Sequence, residues 1–259
     1  MQRHIVIPAR MASTRLPQKP LLLIHGVPMI LHVVRRAALA HHDTLCVATD
    51  SQQIADVVMA AGFDAQMTRA DHVSGTDRLA EVAQIRGWDA DDLVINVQGD
   101  EPLIPKSVIN QVAELLIDKP ECLLATLVEK LKNLAELEDP SAVKAVVSGT
   151  FEALYFSRAP IPASRDALMH KPISDETRLE RCTRHIGIYA YRVKALQAFS
   201  GWQPSSLELI ESLEQLRFLD HGARIAAKLA VDQVPAGVDT DEDLRRLNEL
   251  PAHYFELPS

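Results

Sequence analysis

The alternation of apolar and polar positions in the first half of this chain predicts strands separated by helices. The apolar runs are short and end at Pro, Gly or Asp, as buried strands do, whereas the segments between them repeat apolar positions at helical spacing. This order is typical of βαβ units built around a parallel sheet. The predicted strands cover residues 5–9, 45–49, 65–67 and 93–97, and the predicted helices cover residues 29–40, 52–61 and 76–86.

The pattern changes beyond about residue 120, where short strand-like runs predominate and the sheet is expected to become mixed. We predict strands at residues 123–128, 143–147, 153–156 and 185–191, a long surface loop at 161–181, and one strong helix at 206–219. No composition break marks a linker, so the sequence predicts one domain over residues 1–259. The region of approximately 120–195 is expected to be an insertion within it.

Composition narrows the classes of protein and of partner. The formal net charge of −8 argues against broad nucleic-acid binding, so basic residues that cluster locally stand out. The three cysteines lack paired spacing, which favours a reducing compartment. Neither a signal peptide nor an apolar run of membrane-spanning length is evident. We therefore expect a cytoplasmic protein with no membrane partner.

A basic loop follows the first strand. Pro17 and Pro20 oppose a helix there, so Arg10, Arg15 and Lys19 are predicted to project from a loop at the carboxyl end of that strand. Arg offers a planar fork of donors and Lys a movable point charge, which together suit a polyphosphate. The alternative is an ordinary solvated basic loop.

Two acidic segments are candidates for a metal site. Asp100 follows the central strand, and Asp239 lies near the end of the chain. Each has a simpler interpretation, Asp100 as a turn former and Asp239 or Thr240 as a helix N-cap. Together with phosphate oxygens and water, the two carboxylates would suit Mg²⁺.

Other polar positions suggest pocket walls. Ser74 and Gly75 could cap a helix or contact a nucleoside, and a strand would place His185 and Tyr189 on one face. A partly buried His and Tyr with satisfied hydrogen bonds is the alternative. On the predicted helix 206–219, one face would carry Glu211, Glu214 and Gln215.

Taken together, these motifs resemble the 3-deoxy-manno-octulosonate (Kdo) cytidylyltransferase family, in the family's order and over nearly the whole chain. They are IPARMASTRLPQKPL at 7–21, VATD at 47–50, SGTDRLAE at 74–81, VQGDEP at 97–102, YFSR at 155–158, RHIGIY at 184–189, LEQLR at 213–217 and GVDT at 237–240.

The resemblance implies a Rossmann-like α/β nucleotidyltransferase fold, a homodimer, and Mg²⁺-dependent transfer of CMP from CTP to Kdo for lipopolysaccharide assembly. It also implies that residues of approximately 120–195 serve sugar binding and dimerisation. Lys19, Asp100 and Asp239 would be catalytic, with the two aspartates as metal ligands. The nucleotide would be bound by Arg10, Arg15, Lys19, Ser74, Gly75 and Arg78. The sugar would be bound by Gln98, Arg158, Arg165, His185, Tyr189, Glu214 and Gln215.

Two positions depart from the family pattern. Gln18 stands where the family commonly has Gly, and Asp241 where Pro often follows. Neither departure removes a predicted ligand. The alternatives are a cytidylyltransferase for 8-amino-Kdo or sialic acid, a glycosyltransferase, and a nucleotide-binding subunit without turnover. A glycosyltransferase usually presents an Asp-x-Asp motif, which Gln98, Gly99 and Asp100 do not form.

Overall fold

The fold is built on one large mixed sheet with helices on both faces. A computed structural model describes residues 1–12, 16–72 and 74–256. The strands are β1 (Arg3–Ala9), β2 (Leu23–Ile24), β3 (Val27–Pro28), β4 (Thr44–Thr49), β5 (Asp64–Met67), β6 (Leu93–Asn96), β7 (Leu124–Lys130), β8 (Lys144–Val147), β9 (Ala153–Ser157), β10 (Thr183–Arg192) and β11 (Ile225–Leu229).

Helices connect and cover these strands. They are α1 (Met29–Ala37), α2 (Gln52–Ala60), α3 (Gly75–Arg86), α4 (Lys106–Asp118), α5 (Leu134–Glu138), α6 (Arg165–Leu168), α7 (Asp175–Leu179), α8 (Val193–Gly201), α9 (Ser206–Glu211), α10 (Gln215–Asp220) and α11 (Asp241–Glu249). Short 3₁₀ turns occupy Lys19–Leu21 and Ala252–Phe255. Within the described ranges, no helix combines the length and the apolar character needed to cross a membrane.

The sheet divides into a parallel half and a mixed half, which confirms the predicted α/β class with a mixed sheet. Its main path runs β11-β7-β10-β6-β1-β4-β5, and β8 joins β10 to β9. Strands β5, β4, β1 and β6 are parallel. Strand β10 runs antiparallel to β6, β7 and β8. The carboxyl ends of β1, β4 and β6 therefore meet at one edge, where open α/β sheets bind ligands.

Side-chain alternation on the central strand creates a core on each face. Ile5 and Ile7 of β1 are fully buried in the cluster that α1, α2 and α4 cover, whereas Val6 is buried in the cluster formed with α3 and α8. Burying each such side chain contributes roughly 1.5–3 kcal/mol. These two cores fix the sheet edge on which the polar residues described below are carried.

Several segments differ from the sequence-based expectations. The predicted single helix at 206–219 is wrong, because Ser212 adopts a left-handed conformation (φ 53°) and separates α9 from α10. The predicted loop at 161–181 contains α6 and α7. Lys19 begins a 3₁₀ turn and is not in an irregular loop, since Pro20 is tolerated in the first turn of a helix. The patterns did not predict α4, α8, β11 or the β2–β3 hairpin.

Candidate active site

The site lies at the carboxyl edge of the parallel strands, where the segment after β6 crosses β1. A Cβ atom at Gly99 would lie 2.8 Å from the carbonyl oxygen of Pro8, closer than any side chain permits. Glycine is therefore required for the chain to pass here. The close passage puts Asp100 beside the basic segment that follows β1.

A second close backbone contact brings the far end of the chain to the same place. Val238 donates its N–H to the carbonyl oxygen of Asp100 at 2.9 Å. A Cβ atom at Gly237 would lie 2.9 Å from that oxygen, so the contact again depends on glycine. Thr240 then caps α11 through a reciprocal capping box with Asp243. Asp239 is held between these two anchors.

Lys19 joins the two aspartates. Its Nζ lies 2.6 Å from Oδ2 of Asp100 and 3.0 Å from Oδ1 of Asp239. The lysine side chain is mostly buried, whereas Asp239 is about half exposed. The structure thus brings together the three residues predicted to be catalytic.

This carboxylate pair fits a hard divalent cation that brings further ligands with it. The described residues contain no group of three His, Cys, Asp or Glu side chains able to hold a metal by themselves. However, Asp100 and Asp239 already direct one oxygen each at the same ammonium group. Mg²⁺ is commonly held by one or two carboxylates plus substrate phosphates and water. The donor set is therefore consistent with Mg²⁺ held together with a nucleotide.

The adjacent Glu101 does not add to this negative charge at neutral pH. Burial, reinforced by the charge of Asp100, raises the pKa of Glu101 to about 8. Its Oε2 atom is buried and has no hydrogen-bond partner among the described residues. The local charge of the segment is therefore carried by Asp100.

A polar cavity of about 350 Å³ opens beside this cluster, and we call it the nucleotide cavity. Five of the six residues predicted to bind nucleotide line it, together with Gln98, Glu214 and both aspartates: Arg10, Lys19, Ser74, Gly75 and Arg78. The sixth, Arg15, lies outside the described residues.

The α3 start shapes one wall of the nucleotide cavity. The Ser74 hydroxyl accepts from the N–H of Asp77, which confirms the predicted cap. Buried Arg78 donates to Thr68 and Asp50 at 2.5 and 2.8 Å. These bonds fix the arginine as part of the wall.

His72 also lines this wall, and the sequence patterns did not single it out. Its Nε2 lies 2.5 Å from Oε2 of Glu81. Partial burial acts to raise the pKa of Glu81, but hydrogen bonds from His72 and the Arg69 N–H outweigh it and lower the pKa. A negatively charged Glu81 thus holds the imidazole in place.

A second cavity of about 290 Å³ adjoins the first, and we call it the inner cavity. The two cavities share Gly75, Gln98 and Glu214. The inner cavity collects His185 and Tyr189 from β10 and Gln215 from α10, as the sequence-based grouping predicted. Its wall also contains Asn96 and Tyr191, which that grouping missed.

Three polar atoms of the inner cavity are buried without a hydrogen-bond partner in the described part of the chain. They are the Tyr189 hydroxyl, the Asn96 side-chain carbonyl oxygen and the Gln215 amide nitrogen. Most buried polar groups are hydrogen-bonded, so three such atoms around one cavity indicate a site for a polar ligand.

Two titratable groups of the inner cavity, His185 and Tyr189, are held neutral. Burial lowers the pKa of His185 to about 3 and raises the pKa of Tyr189 well above its ordinary value. The Thr126 hydroxyl donates to the Ile188 carbonyl at 2.7 Å and lies 3.0 Å from Nε2 of His185. One hydroxyl has one proton to donate, so Nε2 carries the imidazole proton and Nδ1 is left as an acceptor.

Glu214 stands where the two cavities meet. Burial, together with the charges of Asp77 and Glu208, raises the pKa of Glu214 despite hydrogen bonds from Thr76 and Ser74. Thr76 donates to its Oε2 at 2.9 Å. The carboxyl is thus positioned by α3 but contributed by the turn between α9 and α10.

The structure does not bring Arg158 and Arg165 to either cavity. The Arg158 guanidinium donates to the backbone carbonyls of Pro140, Glu211 and Ser212. Arg165 begins α6, a short helix without buried residues, and is exposed. Sugar binding by these two arginines stays a prediction, as do the roles predicted for the other site residues.

The structure shows the backbone conformation at Gln18 and Asp241, the two positions that depart from the family pattern. Gln18 has a φ of 56°, a left-handed conformation in which glycine is favoured. Asp241 is the first residue of α11, a position where both proline and acidic residues are common. The first departure therefore strains the backbone next to Lys19, and the second suits its position.

In the comparisons with known proteins, this chain is similar to cytidylyltransferases. The profile of a family described as cytidylyltransferase matches residues 4–225. A 3-deoxy-manno-octulosonate cytidylyltransferase of Acinetobacter baumannii (strain AYE) is 54% identical over 255 residues, which are 98% of this chain and 100% of that protein. One of the same name from Psychrobacter sp. (strain PRwf-1) is 54% identical, covering 96% of this chain and 93% of that protein.

A solved structure agrees with these relatives. The chain is similar to a CMP:2-keto-3-deoxy-manno-octonic acid synthetase that was solved in complex with CTP. The TM-score is 0.85, the sequences are 43% identical, and the match covers 96% of this chain and 97% of the other.

Proposed function

This chain belongs to the cytidylyltransferase family, and from that premise we propose that it transfers CMP from CTP to Kdo and releases pyrophosphate. It is a nucleotidyltransferase, and its match to the CTP-bound synthetase confirms the predicted nucleotidyltransferase fold. Relatives that cover nearly the whole chain carry the name of the Kdo enzyme, which supports Kdo as the acceptor.

One observation carries the proposal: two polar cavities share a wall beside a pair of carboxylates. The nucleotide cavity is lined by cationic side chains, as a triphosphate requires. The inner cavity offers neutral donors and acceptors, as a polyhydroxylated sugar acid requires. Because Gln98 and Glu214 border both, a sugar hydroxyl in one cavity can approach a phosphate in the other.

The reaction proposed is an in-line displacement at the α-phosphorus. The anomeric hydroxyl oxygen of Kdo forms a bond to that phosphorus, the bond to the bridging β-phosphate oxygen breaks, and the hydroxyl proton passes to solvent. The main barrier is repulsion between an anionic sugar and a polyanionic triphosphate. Positioning and charge neutralisation are therefore the main tasks of the protein, and no covalent enzyme intermediate is needed.

The protein's own cations and carboxylates have distinct roles in this scheme. Asp100 and Asp239 would hold Mg²⁺, which when bound supplies neutralising charge to the triphosphate and makes the attacking hydroxyl more acidic. Lys19 now forms an ion pair with both carboxylates and offsets one of their two negative charges. When CTP and Mg²⁺ are bound, the Lys19 ammonium group would instead bind the triphosphate together with Arg10.

The inner cavity would orient the acceptor. The neutral Tyr189 hydroxyl and Gln215 amide would donate to sugar hydroxyls, while Nδ1 of His185 and the Asn96 carbonyl would accept from them. A cavity whose His and Tyr are neutral binds a sugar by hydrogen bonds that depend on its hydroxyl positions. Such contacts give more discrimination than a charge does.

The test is pyrophosphate release by the purified protein with CTP and Mg²⁺. We would compare Kdo, 8-amino-Kdo, sialic acid and no sugar, with Asp100→Ala as the control. Release with Kdo that is lost in the variant is expected. Pyrophosphate release only with another sugar acid would show that this acid, and not Kdo, is the acceptor. CTP binding without release would support the nucleotide-binding subunit, and transfer from a finished nucleotide sugar would indicate a glycosyltransferase.

Three further features form part of the proposal. We place the enzyme in the cytoplasm, where its buried cysteines stay reduced. We assign sugar binding and dimerisation to residues of approximately 120–195 within a single domain at 1–259. Exposed apolar side chains in that region, namely Leu154, Leu168 and Met169, support a homodimer. Light scattering of the purified protein would test it.

A further inference from the structure

The corner between α9 and α10 contributes Ser212, Leu213, Glu214 and Gln215 to the inner cavity, and it is bent against its local sequence pattern. Residues 206–219 have the spacing of a single helix, yet Ser212 is left-handed with φ of 53° and ψ of 50°. A non-glycine residue in this conformation is strained. Some tertiary interaction must therefore favour the bend.

A buried ion pair spans the bend. Nε and Nη2 of Arg217 each donate to the Glu208 carboxylate at 2.6 Å, a bidentate arrangement. The guanidinium also lies 3.9 Å from the centre of the Phe199 ring and donates to the Trp202 carbonyl. Both side chains are about nine-tenths buried.

This pair can form only when the segment is bent. In a continuous helix, nine residues advance by about 13.5 Å and turn by about 900°, which places the two side chains on opposite faces. Bidentate contact at 2.6 Å is impossible from there. The ion pair therefore distinguishes the bent segment from the straight one.

The bend also separates side chains that a straight helix would group. Glu211 turns to β9, where it accepts from the Ser157 hydroxyl at 2.7 Å and from the Arg158 N–H at 3.0 Å. Glu214 and Gln215 instead line the inner cavity. In a continuous helix all three would share one face.

We infer that the Glu208–Arg217 ion pair is a positioning device, which holds the corner bent so that Glu214 and Gln215 form the acceptor wall of the inner cavity. The inference rests on the proposed function for the identity of the acceptor. Neither residue of the pair lines either cavity, so each acts through the corner.

The test uses a double variant, Glu208→Gln with Arg217→Met, because removing one partner alone would leave a buried charge and could unfold the protein. Arg224→Met with Glu152→Gln is the matched control, since that pair is also bidentate but lies away from both cavities. For each protein we would measure KM for CTP and Kdo, and hydrogen exchange of residues 206–220.

In the double variant we expect KM for Kdo to rise at least tenfold, KM for CTP to change less than twofold, and exchange of 206–220 to accelerate. The control should change none of these. In the double-variant background, Ser212→Gly should lower KM for Kdo again, because glycine adopts the left-handed conformation without strain. Ser212→Ala should not.

An unchanged KM for Kdo in a folded double variant would overturn the inference, as would equal rises for both substrates. Unchanged exchange of residues 206–220 would overturn it whichever acid is the acceptor. Failure of the unaltered enzyme to use Kdo would instead refute the proposed function. The inference would then be tested by hydrogen exchange of residues 206–220 and by KM for the acid that the enzyme does use.

Discussion

The nucleotide cavity and the inner cavity meet at a shared wall but are built in different ways. The nucleotide cavity is formed mainly by segments that follow the parallel strands, and it is lined by charged side chains whose exposure ranges from buried Arg78 to half-exposed Asp239. The inner cavity combines antiparallel β10 with the bent corner of α9 and α10, and its His185 and Tyr189 side chains are buried and neutral. Under the proposed function, this difference predicts that the first cavity stabilises charge in the transition state and that the second recognises hydroxyl groups.

The largest expected effect comes from the carboxylate pair. Asp100→Asn should lower kcat by about 10³-fold, because it removes a charge used to stabilise the transition state. Pyrophosphate release and thermal unfolding would be measured together, with Asp241→Asn as the control at an acidic residue on α11. Full activity in Asp100→Asn would contradict the assigned role.

The second prediction concerns the backbone contact that places Asp239. Gly237→Ala should lower kcat by about 10²-fold, because the new Cβ would push the segment away from Asp100 and misplacement of about 1 Å has this cost. Gly149→Ala is the control, since a Cβ there meets nothing within 4 Å. Equal activities of the two variants would show that close contact at Gly237 is unnecessary.

The third prediction concerns His185 of the inner cavity, which should make the free energy of unfolding depend on pH. The folded-state pKa of His185, about 3, lies below its ordinary value of 6.5, so its stabilising contribution is complete above pH 6.5 and is lost as pH falls. Between pH 7.5 and pH 5 the loss should be about 2 kcal/mol.

Urea unfolding at both pH values would check this, and His185→Asn should lessen the dependence by that amount. Exposed His253→Asn is the control. An unchanged pH dependence in His185→Asn would mean that this histidine is not held neutral.

Tyr189→Phe tests acceptor recognition. Thr126 is the one side chain that interacts with the hydroxyl among the described residues, and the two do not form a well-aligned hydrogen bond, so removal of the hydroxyl should lower the melting temperature little. KM for Kdo should rise about tenfold, or ~1.4 kcal/mol, and KM for CTP should stay the same. Steady-state kinetics would be compared with Tyr254→Phe. A rise in KM for CTP would contradict the assignment of the inner cavity to the acceptor alone.

The smallest effect is expected at Gln18. Gln18→Gly removes the strain of a left-handed glutamine but makes the unfolded chain more flexible. The two contributions oppose each other, so the free energy of unfolding should change by less than about 1 kcal/mol. Urea unfolding would measure it, with Gly26→Gln, another left-handed position, as the reverse substitution. A larger change at Gln18 would reveal additional contacts of this side chain.

Local patterns predicted the parallel half of the fold because apolar runs and helical spacing there coincide with buried strands and amphipathic helices. They failed at residues 206–219, where a tertiary ion pair outweighs a helical pattern. They also failed at α4, although Pro105 as N-cap and apolar positions such as Val108 and Val112 were visible signals.

The site residues, like the fold, were predicted only in part from the sequence. Asp100 and Asp239 were paired as a metal site from their residue types, and Lys19 was grouped with them as catalytic through the family resemblance, since nothing local links residues so far apart in the chain. Asn96 was missed, although its place at the carboxyl end of β6 is a signal for a ligand contact. His72 was missed because its neighbour Glu81 is reached only through the fold.

The contact between Gly237 and Asp100 also sets an order of events during synthesis. Domains fold as the chain emerges from the ribosome, and the sheet strands through β11 all precede residue 237. A nascent chain can therefore complete its sheet while still having only one of the two carboxylates. The carboxylate pair that we propose as the metal site is therefore complete only when the segment carrying Gly237 and Asp239 has docked against Asp100.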